Sequence, residues 1–387
     1  MLQTLAIAGY RSLKDVRLPL SRLNLVTGPN GSGKSSLYRS LRLLSETAQG
    51  GLIRSLAQEG GLQSTLWAGP EIITNELRLG QTPLQGTLRK KPVHLRLGFT
   101  SDDLSYTIEL GLPAPSETSF ALDPVIKREC LWQGSAMKGA ALRADRRGNT
   151  LRCRDIHNKW QNIDVLLTNY TSMLTEFASP TDAAEIVVMR DTIRTWRFYD
   201  YFRSDIQAPA RRSEVATYTP VLADDGSDLA SALKTIQAFG DGGALATTID
   251  DAFPGSILQM RSSDTRIDVT LEQPGMLRPL AAAELSDGTL RYLLLAAALL
   301  SPRPPSLMVL NEPETSLHPD VLPALGRLIA HYAQDNQVIV VTHADALVKI
   351  LAEEPDCARF ELEKSFGATE FVGLDPFSIP HWKWPAR

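Results

Sequence analysis

The sequence predicts an α/β fold with a parallel sheet in its last third and an antiparallel sheet near its start. Three observations carry this. A glycine-rich stretch, residues 28–35, lies between the apolar run LNLVT and a segment with helical spacing. Further along, LRYLLLAAALL, SLMVL, VLPALGRLIAHYA and VIVVT alternate helix with strand, the order that builds parallel sheets. Between these regions, from about residue 75 to 165, apolar and polar residues alternate in short runs joined by Gly and Pro, the pattern of an antiparallel meander.

Taken in order, LQTLAIAGY is a mostly apolar strand, RSLKD a turn and VRLPL an alternating strand. LNLVT is a short buried strand running into the glycine-rich loop. In SSLYRSLRLLSE, Leu37, Leu41 and Leu44 fall on one helical face. Residues 49–70 read as loop and short helix. NELRLG, VHLRLGF and LSYTIELGL are the meander strands. Residues 127–159 carry nine basic residues against Glu129, Asp145 and Asp155, a candidate contact for a phosphate backbone or a solvated face. Ser179-Pro180 suits a helix start. Ile186, Met189, Ile193 and Trp196 extend an apolar stripe to about residue 203. Arg190, Arg194, Arg197 and Arg203 could then line one edge or pair with local acids. A Pro/Arg-rich joint, residues 207–212, precedes the helix SDLASALKTIQAF. The tail PFSIPHWKWPAR is expected to fold back through Trp382 and Trp384.

Composition narrows the function. The chain has 387 residues, 43% hydrophobic and 22% charged, suiting two to three domains or one elaborated domain. A core of that size needs no disulfide or structural metal. The net charge of −4 excludes a polybasic nucleic-acid binder and leaves room for a local basic face. Cys130, Cys153 and Cys357 form no CxxC, which argues against a zinc hook, a zinc finger or a disulfide framework. The N-terminus lacks the form of a signal peptide. The longest apolar run, residues 293–300, is far short of the roughly 18–20 residues a membrane span needs. A cytoplasmic protein with reduced thiols and no membrane partner is expected.

Four motifs carry chemistry. Gly28, Pro29, Asn30, Gly31, Ser32, Gly33, Lys34 and Ser35 match GxxxxGK[ST] between strand and helix. Glycines let successive backbone N–H groups converge on phosphate oxygens, and the helix N-terminus adds about half a positive charge. Lys34 is placed for the β- and γ-phosphates and the Ser35 hydroxyl for Mg²⁺; Ser36 completes the nucleotide-binding set. In SLMVLNEPETSLHPD a strand ends at Asn311-Glu312. Residue 311 is where such a protein places an acid for Mg²⁺, and Glu312 is placed to deprotonate water. Asn keeps one acceptor oxygen but loses a charge. A unit pair at 4 Å is worth about 4 kcal/mol at an effective dielectric of 20, so weak Mg²⁺ binding or slow hydrolysis is expected if nothing compensates. Third and fourth are LSDGT, with Ser286, Asp287 and Gly288 opening a helix, and VIVVTH, which delivers His343.

Through YRSLKDV, GPNGSGKS, LSDGT, LNEPETSLHP and VIVVTH, the chain resembles the ABC-type ATPase heads of the SMC/RecF/OLD group, most closely the stand-alone AAA-type ATPases related to OLD proteins. The match covers residues 1 to about 45 and about 220 to 350. It implies a P-loop NTPase of ABC/SMC-head type with an N-terminal antiparallel sheet and an inserted arm of strands and helices. The expected segments are 1–75 and 213–365 for the halves of the head, 76–212 for the arm and 366–387 for the tail. The implied cofactors are ATP and Mg²⁺. The implied assembly is a homodimer with each nucleotide between the loop of one subunit and LSDGT of the other. Ser286 and the Gly288 N–H would meet the γ-phosphate; Asp287 replaces the usual glycine. His343 resembles the switch histidine. His318 stands where the D-loop usually has Asp. Arg11 resembles the basic residue that reaches the phosphates, and Gln63 is a candidate Q-loop glutamine that would ligate Mg²⁺.

The favoured function is ATP hydrolysis with ATP-driven dimerisation, acting on DNA or in genome maintenance or phage defence. The alternative is an ATP-dependent dimerisation switch with little turnover, to which Asn311 points. Candidate partners are DNA and a separate effector protein, a nuclease or toxin. The stretch after His343 is too short for the Toprim-type nuclease of larger OLD proteins. The long insertion and the SMC-like start argue against a transporter subunit, and a kinase or GTPase leaves LSDGT and His343 without a role.

Overall fold

The computed structural model describes residues 1–72, 92–113, 122–177, 179 and 183–385. The expected strand NELRLG lies outside the described residues, as does Pro180 of the expected helix start. In chain order the strands are β1 (Leu2–Tyr10), β2 (Leu13–Pro19), β3 (Leu23–Thr27), β4 (Leu95–Ser101), β5 (Leu104–Gly111), β6 (Val125–Gln133), β7 (Leu142–Arg147), β8 (Thr150–Arg154), β9 (Trp160–Ile163), β10 (Arg197–Tyr199), β11 (Glu214–Val215), β12 (Ile257–Ser263), β13 (Arg266–Glu272), β14 (Leu280–Ala281), β15 (Met308–Asn311), β16 (Val338–Val341), β17 (Cys357–Ser365) and β18 (Ala368–Val372). The helices are α1 (Lys34–Gln49), α2 (Leu52–Gln58), α3 (Leu62–Thr65), α4 (Met173–Glu176), α5 (Ala184–Arg194), α6 (Leu229–Phe239), α7 (Gly242–Ala252), α8 (Asp287–Leu299), α9 (Leu322–Ala333) and α10 (Asp345–Ala352). The chain forms two compact units. One holds residues 1–21, 28–195 and 360–387, the other residues 22–27 and 196–359.

In the first unit an antiparallel sheet runs in the order β2-β1-β4-β5-β6-β7-β8-β9. β1 is buried along nearly its whole length, which is why it reads as continuously apolar rather than alternating. α1 buries Leu37, Leu41 and Leu44 as their spacing predicts. Its buried Ser40 and Thr47 hydroxyls donate to the helix's own Leu37 and Leu44 carbonyls. Gly50 closes the helix at φ 80°, donating its N–H to the Glu46 carbonyl. The tail packs back as expected. Trp382 is buried beside Trp132, Cys130 and Ala6, and Trp384 stacks edge-on against it at 5.1 Å.

Part of the basic stretch 127–159 is turned inward to pair with acids of the same stretch. Arg146 is fully buried, with Nη1 2.7 Å from the Glu129 carboxylate, and also donates to the Thr171, Thr168 and Gly148 carbonyls. Glu129 accepts in addition from Tyr106, Ser172 and the Met173 N–H. Arg128 and Arg152 both reach Asp145, at 3.0 and 2.7 Å. Strand pairing brings these acids and bases together, which spacing along the chain could not reveal.

The second unit holds the parallel sheet, in the order β10-β15-β16-β3. α8 is buried from Leu290 to Leu299, so its apolar residues run all round the helix. β12 and β13 form an antiparallel hairpin flanked by β11 and β14. The helix expected to reach residue 203 ends at Arg194, because the chain turns at Thr195 and pairs Arg197–Tyr199 with β15. The four arginines therefore line no common edge: Arg190 pairs with Asp191, Arg194 donates to the Ala48 carbonyl, and Arg203 pairs with Asp205. Cys130 and Cys153 are buried and Cys357 is half-buried. Among the described residues no helix is long and apolar enough to cross a membrane.

Breaking one side of a buried, hydrogen-bonded ion pair strands the other charge and costs about 3–5 kcal/mol. Glu129→Ala is expected to lower the stability of the first unit by that amount, read as a fall in the urea midpoint. Glu129→Leu combined with Arg146→Met is expected to lose less. Equal losses in the single and double variants would show that the packing, not the stranded charge, sets the cost.

Candidate nucleotide-binding site

β3 ends at Thr27, and the next residue, Gly28, opens the glycine-rich loop. Gly28, Gly31 and Gly33 have φ of 140°, 80° and 116°, a region costly for residues with a Cβ. A Cβ on Gly31 would meet open space. One on Gly28 would lie 2.3 Å from the Leu362 carbonyl oxygen, and one on Gly33 2.1 Å from Thr369 Oγ1. The first and last glycines are thus demanded by the β17–β18 hairpin as well as by the loop's own path. Lys34, buried at the start of α1, donates to the Gly28 and Pro29 carbonyls at 2.5 and 3.1 Å. Ser32 Oγ is buried, without a hydrogen-bond partner among the described residues. Ser35 is exposed and Ser36 half-buried. A cradle of left-handed glycines at the N-terminus of a 16-residue helix fits a polyphosphate.

Thr369 ties the loop to the β1–β2 turn. Its Oγ1 lies 2.7 Å from the Ser32 carbonyl oxygen and 2.8 Å from Ser12 Oγ, and its N–H donates to the Ser12 carbonyl at 2.8 Å. Arg11, adjacent to Ser12, has φ 48°. Its guanidinium is held by Glu59 at 2.6 and 3.0 Å, and Glu59 also accepts from Tyr10. The Arg11 N–H donates to the Thr65 carbonyl at the end of α3, the helix on which Gln63 lies exposed.

The second unit carries Asn311, Glu312, His343 and the LSDGT segment. Parallel pairing sets Val26, Val341 and Asn311 in one row, so the residues after β15 and β16 emerge at the same edge. Glu312 has φ 48°, and its N–H donates to Val341 at 2.7 Å. His343 Nδ1 lies 3.2 Å from Glu314 and 3.9 Å from Glu312. Glu314, 7% exposed against 45% for Glu312, also accepts from Thr342 Oγ1 and the His343 N–H. It is the anchor of the group. Buried Arg291 donates to the Asp200 and Glu312 carbonyls. Burial pulls this guanidinium below its ordinary value, against the opposing pull of Tyr201, Glu314, Asp200 and Glu312. Asn311 Nδ2 donates to Asp200 at 2.8 Å.

Ser286 caps α8, accepting from the Thr289 N–H at 3.1 Å. A Cβ on Gly288 would sit 2.8 Å from the Ser316 carbonyl oxygen, so the helix start packs directly on the turn after β15. Asp287, the departure from the usual glycine, pairs with Arg211 at 2.7 Å. Arg211 also donates to the Ala282 and Leu285 carbonyls, which fixes the turn. His318 caps the short helix that follows by accepting from the Asp320 N–H.

The family described as "AAA domain, putative AbiEii toxin, Type IV TA system" matches residues 23–349. The chain belongs to this AAA-domain family. Among solved structures, an SMC head bound to the C-winged helix domain of ScpA is similar with TM-score 0.51 and 13% identity, over 97% of this chain and 98% of that one. A Pyrococcus furiosus Smc head bound to the C-terminal domain of ScpA gives 0.49 and 12%, over 96% and 95%. The SMC head domain from Thermotoga maritima gives 0.41 and 15%, over 97% and 99%. No curated protein matches. The fold of this AAA-domain chain is that of the ABC/SMC-type ATPase head.

Asp200, Arg211, Glu314 and Thr369 were not singled out from the sequence. Glu314 was within reach, two residues past Glu312 in the same motif. The other three are brought in by long-range pairing. Removing a hydroxyl that satisfies a buried carbonyl costs about 1–3 kcal/mol. Thr369→Val is therefore expected to weaken ATP binding about tenfold, measured with a fluorescent nucleotide, with Thr369→Ser close to the parent. Unchanged affinity in Thr369→Val would show that the loop holds its shape without the hairpin.

Proposed function

We propose that this AAA-domain protein binds Mg-ATP at the loop 28–36, hydrolyses it, and closes as a homodimer around the nucleotide. The observation that carries the reading is the Glu312–His343–Glu314 group, which follows the C-terminal ends of β15 and β16, β16 being paired in turn with β3, the strand that runs into the phosphate loop. Lys34 and the loop N–H groups bind the phosphates. Arg11 adds a second cation once it exchanges Glu59 for phosphate. Glu312 takes the proton of the attacking water, and His343, oriented by Glu314, senses the terminal phosphate. Ser35 and Asn311 supply the oxygens expected to hold Mg²⁺, whose bound charge neutralises the phosphates; Gln63 is the further candidate. Ser286 and the Gly288 N–H serve the nucleotide of the facing subunit.

The proposed setting is DNA maintenance or phage defence, with an effector on a separate chain. The similar SMC head is bound to a winged-helix domain of another protein, which supports a head that signals to a protein partner. A switch with little turnover is the second reading, and Asn311 is the observation that favours it.

Lys34→Ala is expected to abolish ATP binding. Glu312→Gln is expected to keep binding but lose about 10²–10⁴-fold in phosphate release, the range for a positioned general base, and to accumulate as an ATP-bound dimer. Light scattering of Glu312→Gln with Mg-ATP, Mg-ADP and no nucleotide reads the assembly. Turnover at the parent rate would remove Glu312 as the base, and a monomer at saturating Mg-ATP would remove the dimer.

A further inference from the structure

The missing charge at residue 311 is present on the neighbouring strand. β10 pairs in parallel with β15, Tyr199 opposite Leu310, so Asp200 comes alongside Asn311. Its carboxylate accepts from Asn311 Nδ2 at 2.8 Å. A carboxylate only accepts, so the NH₂ end of the amide must face Asp200. The carbonyl oxygen Oδ1 is then turned away from it, fixed in orientation and polarised by the anion behind it. The Asp200 and Glu312 backbone carbonyls both accept from buried Arg291 at 3.4 Å, which holds the ends of the two strands together.

Resting on the reading of residue 311 as a Mg²⁺ contact, we propose that Asp200 is the positioning residue for the metal. The Asn311–Asp200 pair does the work of a single acid, with the oxygen donor on one strand and the negative charge on the next. A neutral amide alone would hold Mg²⁺ weakly. An amide hydrogen-bonded to a carboxylate presents a more negative oxygen and keeps one net charge within reach of the cation. Restoring Asp at 311 in the parent background places two carboxylates at hydrogen-bond distance, where like charges oppose joint ionisation. Asn311→Asp by itself is therefore not a gain.

The test is a charge swap. Fluorescent-ATP affinity is measured in EDTA and then across a Mg²⁺ titration, for the parent, Asp200→Asn, Asn311→Asp and the double variant. Mn²⁺ replaces Mg²⁺ in a parallel set read by electron paramagnetic resonance. Asp200→Asn keeps an acceptor for Asn311, so the fold and the affinity in EDTA are expected to hold while the Mg²⁺ midpoint rises about tenfold. Asn311→Asp is expected to lose comparably. The double variant reverses the pair and is expected to return to within about twofold of the parent. A parent-like Mg²⁺ midpoint in Asp200→Asn overturns the proposal, as does an Asn311→Asp variant that binds Mg²⁺ better than the parent with no further gain in the double. Failure of the parent itself to bind ATP, with Lys34→Ala no different, overturns the nucleotide reading on which the proposal rests.

Discussion

The register of the parallel sheet is the constraint on which the second unit depends. β3, β16 and β15 align Val26, Val341 and Asn311, and β10 adds Tyr199 beside Leu310. Slipping one strand by one residue would turn every side chain to the opposite face, moving Glu312 away from His343 and Asp200 away from Asn311. The sheet is held to its register by full burial. Met308 to Leu310 and Val338 to Val341 are almost inaccessible to water. The buried apolar strands therefore fix where Asn311, Glu312 and His343 stand.

At that edge the backbone is held in unfavourable conformations. Glu312 and Ser316 have positive φ, as does Arg11 in the first unit. Such residues cost of order 1–3 kcal/mol each and persist where surrounding structure over-determines them. For Glu312 the determinants are visible: its N–H is committed to Val341, and its carbonyl accepts from Arg291. The Glu312 carboxylate lies 3.9 Å from the histidine's Nδ1. The two acids of the motif differ in setting: Glu314 is buried and accepts from the His343 N–H, whereas Glu312 is largely exposed.

Local pattern was enough to read the phosphate loop, α1, α8 and α9, the central parallel strands and most of the meander, because each is written in contiguous residues with a clear period. The same reasoning extended the helix after Ile186 too far. Ile193 and Trp196 continue the stripe, and a three-residue strand such as Arg197–Tyr199 has no period of its own to announce it. It missed the β12–β13 and β17–β18 hairpins, whose exposed, charged faces dilute the apolar signal. It counted the charge of residues 127–159 along the chain but could not tell which of those bases are turned inward, as Arg146 is toward Glu129. The glycine pattern was legible, but not why Gly28, Gly33 and Gly288 tolerate no Cβ: their neighbours are Leu362, Thr369 and Ser316.

The two departures from the expected motifs follow one logic. Asn311 lacks a negative charge, and Asp200 stands against it. Asp287 adds a negative charge where glycine is usual, and Arg211 meets it while also bonding the carbonyls of the same turn. Both compensating residues come from the stretch 200–211, which lies between two segments with clear secondary-structure signals and has little pattern of its own. A substitution inside a motif changes the local charge by one unit. In both cases a residue distant in sequence stands against the altered position. The motif is therefore better defined by the charge and hydrogen-bond geometry at the strand edge than by the identity of any single letter, and a chain that writes Asn for Asp there is not by that fact an inactive one.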